Sequence, residues 1–243
     1  MSEWQGKRYW LVGASEGLGE ALAHVMSRAG VELVLSARNA DKLAALVAEL
    51  PGPAHAVACD VSDRASVEAA RAEAGDLDGV VMLAGVYWPQ AAQAWDAGEV
   101  EMMCDVNFTG TARVIGSVVR DFAERDAGHI VITGSLSGFR GLPGAQGYAA
   151  SKAGTMVMAE SLYADLRNTG VKVQLANPGF IRTRLTDKNE FSMPFIMEPE
   201  AAAREMFEHM CTDHFKKSFP TMFSWLFRAS QFMPDWLYYR LFA

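Results

Sequence analysis

The chain is 243 residues long, half of them hydrophobic, 21 % charged and 10 % aromatic, with a formal net charge of −7. The apolar content excludes a disordered chain, the acidic balance leaves no basic footprint for nucleic acid, and no apolar run reaches the roughly 18 residues of a membrane-spanning helix. Cys59, Cys104 and Cys211 are odd in number and far apart, which argues against a disulfide framework. The opening MSEWQGKRYW also puts charges where a signal peptide needs its apolar core, so a soluble, reduced, cytoplasmic chain is expected.

Apolar runs of strand length fall at 9–12, 31–37, 54–58, 79–83, 129–133 and 171–176. They carry almost no polar residues, the pattern of a parallel sheet covered on both faces. Helix-period stretches lie between them at 17–29, 39–50, 62–74, 110–125 and 148–168. Asn39 and Ser62 are suited to cap helix N-termini, and Gly30 and Gly170 to close helices in the left-handed conformation. Repeated strand–helix–strand units imply right-handed crossovers, hence an α/β fold with a doubly wound parallel sheet and helices on both faces. No linker or low-complexity tract divides the chain, so residues 1–243 read as a single domain.

The first strand runs into Gly13-Ala-Ser15-Glu16-Gly17-Leu18-Gly19 at the start of a helix. Glycines there let the backbone turn tightly and approach a pyrophosphate, and the helix N-terminus offers free N–H groups. An ordinary strand–helix turn is the plain alternative, but the place in the first such unit favours a dinucleotide. The second strand ends Ala37-Arg38. A free ribose 2′-hydroxyl usually meets an acidic residue here; Ala37 cannot accept its hydrogen bond, whereas Arg38 can fork onto a 2′-phosphate. NADP is therefore expected ahead of NAD, with the charge of Glu16 counting against it.

Tyr148 and Lys152 stand four apart, on one face of a helix. A phenol of ordinary pKa ~10 acts as a base near neutrality only if its anion is stabilised, which a nearby ammonium can do. Alone the pair is an ordinary solvated helix face. Here Ser135 follows the fifth strand at the carboxyl edge, where open α/β sheets bind ligands. Asn107 lies between the fourth strand and the next helix, and Asn177-Pro178-Gly179-Phe-Ile181-Arg-Thr183 leaves the sixth strand.

In this order these residues resemble the short-chain dehydrogenase/reductase family in its single-domain form, over about residues 7–185. The resemblance implies a seven-stranded Rossmann-type sheet and an oxidoreductase that interconverts a carbonyl and a secondary alcohol. It implies a tetrad: Tyr148 exchanging the proton, Ser135 steadying the substrate oxygen, Lys152 holding the nicotinamide ribose and lowering the Tyr148 pKa, and Asn107 anchoring a relay water. Gly13, Ser15, Gly17, Leu18, Gly19, Ala84 and Gly85 would line the cofactor, with Asp60 and Val61 at the adenine. Pro178, Gly179, Ile181 and Thr183 would border the nicotinamide. Two departures stand out. Met82-Leu83 replaces a pair of asparagines, and the family's C-terminal strand and Gly-Gly turn are missing, their place taken by an aromatic tail.

The five histidines (24, 55, 129, 209 and 214) make no metal pattern, and surface roles are expected for them. Residues 184–215 read as a substrate loop and helix; Phe191, Met193, Phe195, Ile196 and Met197 there suggest an apolar or bulky substrate. The tail, 218–243, holds 9 of the 25 aromatic residues. Met222, Phe223, Leu226 and Phe227 form one helical stripe with Trp225 and Phe232 off it. That pattern suggests burial between the domain and a second subunit, beside the loop. A homodimer or homotetramer is expected, also through helices 110–125 and 148–168. The rival readings are a non-enzymatic dinucleotide-binding protein of the same fold and a membrane-surface protein. For the latter the tail's cations, Arg228 and Arg240, are few.

Overall fold

The computed structural model describes residues 3–188 and 193–242. Seven strands form one parallel sheet in the order β3-β2-β1-β4-β5-β6-β7: β1 Arg8–Val12, β2 Glu32–Ala37, β3 Ala54–Ala58, β4 Gly79–Met82, β5 Gly128–Thr133, β6 Val171–Pro178 and β7 Lys216–Phe219. One face packs on α1 (Gly17–Arg28), α2 (Ala40–Glu49) and α8 (Pro199–Met210) through Leu22, Met26, Leu43 and Met206. The other packs on α3 (Arg64–Ala74), α5 (Gly110–Gly116), α6 (Val119–Glu124) and α7 (Gln146–Leu166) through Val67, Val114, Phe122 and Met156. Burial on both faces explains why the strands are apolar throughout rather than alternating. The strand order reverses between β1 and β4, which opens a crevice at the carboxyl ends there.

Several local expectations are corrected. Asn39 caps α2 by accepting from the Lys42 amide at 3.0 Å. Ser62, by contrast, turns both its amide and its hydroxyl onto Asp60, and Asp63 caps α3. Gly30 is left-handed, but Gly170 is not. The helix expected over 110–125 begins earlier and is broken. α4 (Ala97–Cys104) runs through a wide π turn, Asp105–Thr109, into α5. The chain breaks again after Gly116, where the Ser117 hydroxyl bonds back to the Val114 carbonyl instead of extending the helix.

The C-terminal strand expected to be missing is present as β7, pairing Ser218 with Asn177. Its four residues are two lysines, a serine and a phenylalanine, too short and too polar to announce a buried strand. At the fourth strand Met82 is buried in the apolar core in place of polar contacts. His129 and His209 are buried rather than on the surface. The tail forms α9 (Thr221–Ser230) and α10 (Asp235–Phe242). The expected stripe is split: Phe223 and Phe227 point inward onto Leu136, Leu142 and Phe180, while Met222 and Leu226 stay exposed.

Candidate active site

A cleft of about 1000 Å³ runs along the carboxyl ends of the sheet. The glycine loop forms its floor on one side. Gly13 sits at φ +98°, and a Cβ there would collide with the backbone of Ala84; one at Gly19 would strike the Gly13 carbonyl. Loop and β4 exit are thus pressed together, and only glycine allows it. Gly17 lies against Thr183, its ideal Cβ position 2.8 Å from Thr183 Cγ2. Glu16 precedes α1 but does not cap it with its side chain. The first amides of α1 therefore keep their donor capacity, the donor set a pyrophosphate requires, so the chain fits a dinucleotide cofactor here.

Ser15, Leu18, Arg38, Asp60, Val61, Ala84, Gly85, Pro178, Gly179 and Ile181 line the same cleft, as do Ser135, Tyr148 and Lys152. Asp60 is partly desolvated, which on its own raises its pKa. Two hydrogen bonds from Ser62 and the charges of Arg38 and Arg113 outweigh this and hold the carboxyl below its usual range.

At the other end Lys152 is buried and donates from Nζ to the Thr133 carbonyl at 2.9 Å. Burial pulls its pKa down to about 8. Burial pushes the Tyr148 phenol up, and a hydrogen bond with Ser135 offsets part of that rise. The expected lowering of Tyr148 by Lys152 is not seen: burial sets the direction, and the Nζ stands 5.9 Å from the phenol ring centroid, engaged with Thr133. Both groups are driven by desolvation toward their neutral forms.

Asn107 belongs to the π turn, not to a strand–helix connection. It is fully buried, and its amide accepts from Val86 N at 2.8 Å and donates to Val86 O at 3.0 Å and Ser151 Oγ at 3.1 Å. Its carbonyl accepts from Thr111 and Thr155. Through these partners Asn107 braces the β4 exit against α7.

Sequence reasoning passed over four residues. Ser151 ties Asn107 to the Tyr148 carbonyl. The Tyr87 ring lies 4.9 Å from that of Tyr148. Lys42 and Arg184 both line the cleft and both pair with Glu16. Ser151 carried a usable signal, being one residue before Lys152 on the helix; the other three are brought in by the fold alone. In the substrate loop, the Phe195 ring lies tilted against that of Phe223, centroids 5.5 Å apart, and Ile181 bridges Met197. Phe191 lies outside the described residues.

The short chain dehydrogenase family model matches residues 7–192. An uncharacterized oxidoreductase of Myxococcus xanthus is 37 % identical over 245 residues, covering 98 % of this chain and 97 % of its own length. Another, from Staphylococcus epidermidis, is 32 % identical, covering 74 % of this chain and 80 % of its own. A short-chain dehydrogenase/reductase of Burkholderia phymatum, solved in complex with NAD, superposes with a TM-score of 0.86 at 25 % identity, with 94 % of each chain covered. A short-chain dehydrogenase of Sphingobium yanoikuyae in complex with NADPH superposes at 0.82 with 26 % identity, over 93 % of this chain and 94 % of that one. With its seven-stranded parallel sheet, the cleft at the strand ends and relatives matching along its whole length, the chain belongs to the short-chain dehydrogenase/reductase family.

Proposed function

We propose that the chain is an NADP-preferring oxidoreductase interconverting a carbonyl and a secondary alcohol, with Tyr148 as general acid and base. The carrying observation is that Tyr148, Ser135 and Lys152 converge in the cleft that also holds the glycine loop and Arg38. The dinucleotide would be held by the α1 amides, by Asp60 and Val61 at its adenine, by Arg38 at a 2′-phosphate, and by Lys152 at its nicotinamide ribose. Ala84, Gly85, Pro178, Gly179, Ile181 and Thr183 would border the rest. When bound, it supplies or accepts the hydride.

The chain's own residues handle the proton. In the reducing direction the protonated Tyr148 hydroxyl, favoured by burial, donates to the substrate oxygen as negative charge develops there. Ser135 donates a hydrogen bond to the same oxygen and fixes its distance from the phenol. The Lys152 ammonium, one helical turn on, stabilises the resulting phenolate. Asn107, through Val86 and Ser151, keeps the β4 exit and α7 in register.

Leu136, Phe180, Phe195 and Phe223 make an apolar wall next to Ser135, which supports an apolar or bulky substrate brought in under residues 184–215. Among the described residues no helix is long and apolar enough to cross a membrane. We take the protein to act in the cytoplasm as a homo-oligomer, on the strength of its free cysteines and the exposed apolar face of its tail.

A panel of ketones, aldehydes and secondary alcohols, run with both nicotinamide cofactors and read by absorbance of the reduced ring, tests the reading. Turnover that depends on Tyr148 is expected. Tight dinucleotide binding without turnover of any substrate would favour the non-enzymatic alternative.

A further inference from the structure

Glu16 is the residue of the glycine loop that the sequence sets against a 2′-phosphate. Its carboxylate bridges two cations from different elements. Oε2 lies 3.1 Å from Lys42 Nζ, and Oε1 lies 2.5 Å from an Arg184 guanidinium nitrogen. Lys42 stands in the first turn of α2, one turn beyond Arg38. Arg184 follows Thr183, the neighbour of Gly17. Glu16, Arg38, Lys42 and Arg184 all line the cleft, with Asp41 the other nearby acid on α2.

The side chains of Lys42 and Arg184 are more than half exposed, and an exposed ion pair is weakly held and easily exchanged. A phosphate monoester carries up to two charges and three acceptor oxygens, and it matches a guanidinium fork better than a single carboxylate shared between two cations does.

Residues 183–188 form a compact turn, closed by the Thr186 hydroxyl on the Ile181 and Thr183 carbonyls. At its far end Lys188 donates to the Tyr87 carbonyl at 2.7 Å, and Tyr87 packs on Tyr148. One short turn therefore spans from the adenine-ribose end of the cleft to the catalytic phenol.

We propose that Lys42 and Arg184, staged on Glu16, complete with Arg38 a binding site for the 2′-phosphate of the dinucleotide, and that occupation of this site fastens the 183–188 turn. The proposal rests on the NADP reading above and adds a residue from the substrate side to cofactor choice. Glu16 then acts as a place-holder that keeps two cations poised, rather than as a charge that repels the phosphate.

The test is titration of NADPH and NADH by fluorescence into the wild-type protein, Arg184→Ala and Arg184→Lys, with amide exchange of residues 183–188 followed in each complex. Arg184 is on the surface, so its substitution leaves the fold intact. The expected result is a loss of about tenfold in NADPH affinity for Arg184→Ala, the usual size for a charged hydrogen bond. NADH should stay within about twofold, and Arg184→Lys, which keeps the charge but loses the fork, should recover only part of the loss. NADPH should slow exchange in the turn more than NADH does, and that difference should vanish in Arg184→Ala. If the wild type prefers NADPH but Arg184→Ala weakens both dinucleotides equally, or neither, the proposal is overturned while the NADP reading stands. If the wild type prefers NADH, the NADP reading itself fails, and the site with it.

Discussion

Burial shifts both Tyr148 and Lys152 toward their neutral forms, and that sets two expectations. Tyr148→Phe keeps the ring against Tyr87 and removes the proton donor. Turnover should drop by about 10²-fold or more, the usual worth of a positioned acid–base group, with dinucleotide affinity little changed; a variant with near-normal kcat would remove Tyr148 from the chemistry. Lys152 has its pKa lowered by burial to about 8, so it is charged at neutrality and loses its proton as pH rises through that value. If its ammonium holds the ribose, dinucleotide affinity should fall above about pH 8, approaching tenfold per pH unit. Lys152→Met should bind weakly and without that pH step. A wild-type titration flat from about pH 7 to about pH 10 would show that the lysine does not hold the cofactor. These residue types were legible in the sequence because their spacing is local. The partners of Asn107 were not, since Val86, Ser151 and Thr155 reach it only through the π turn and the packing of α7.

Among the elements, the strands were legible because burial on both faces strips them of polar residues. β7 escaped notice because most of it is lysine and serine, its place fixed by pairing with β6. The broken helix escaped for a similar reason: hydrophobic period continues across Ser117, while the break depends on one hydroxyl bonding backward. The buried histidines show what period cannot reveal. His129 joins β1 to β6, with Nδ1 2.8 Å from the Tyr9 hydroxyl and Nε2 2.8 Å from Gln174 Oε1. The Gln174 amide donates in turn to the His209, Thr212 and His214 carbonyls. Burial lowers His129 to about 3 and His209 to about 4. An unfolded histidine titrates near ~6.5, so below that pH the unfolded chain takes up protons that the folded chain refuses. Stability from these neutral rings is complete above about pH 6.5 and declines as pH falls toward about 4. His129→Gln should be less stable at neutral pH, yet its Tm should fall less between about pH 6.5 and about pH 4.5. A parallel decline in both proteins would assign acid sensitivity to other groups.

For the molecule as a whole, the tail has two unlike faces. Its inner face is fixed: Phe223 and Phe227 pack beside the Ser135 loop, the Tyr238 hydroxyl donates to the Gly141 carbonyl at 2.7 Å, and Arg140 holds the Ser230 and Met233 carbonyls and pairs with Asp235. Its outer face leaves Met222, Trp225, Leu226, Phe232, Trp236, Tyr239 and Leu241 exposed, Phe232 at 89 %. Scattered apolar residues on a surface are ordinary, whereas a concentration like this on two successive helices marks a contact surface. Deleting the tail would also uncover Leu136 and Phe180, confusing assembly with stability. Replacing Trp225, Phe232 and Trp236 together by serine touches only the outer face. If this face joins two copies, light scattering should give a lower molar mass for the triple variant than for the wild type, with dinucleotide affinity retained. The mass difference should shrink on dilution, as the wild type itself dissociates. An unchanged mass in a soluble, cofactor-binding variant would take the tail out of the assembly and leave it the packing of Phe223 and Phe227 on Leu136.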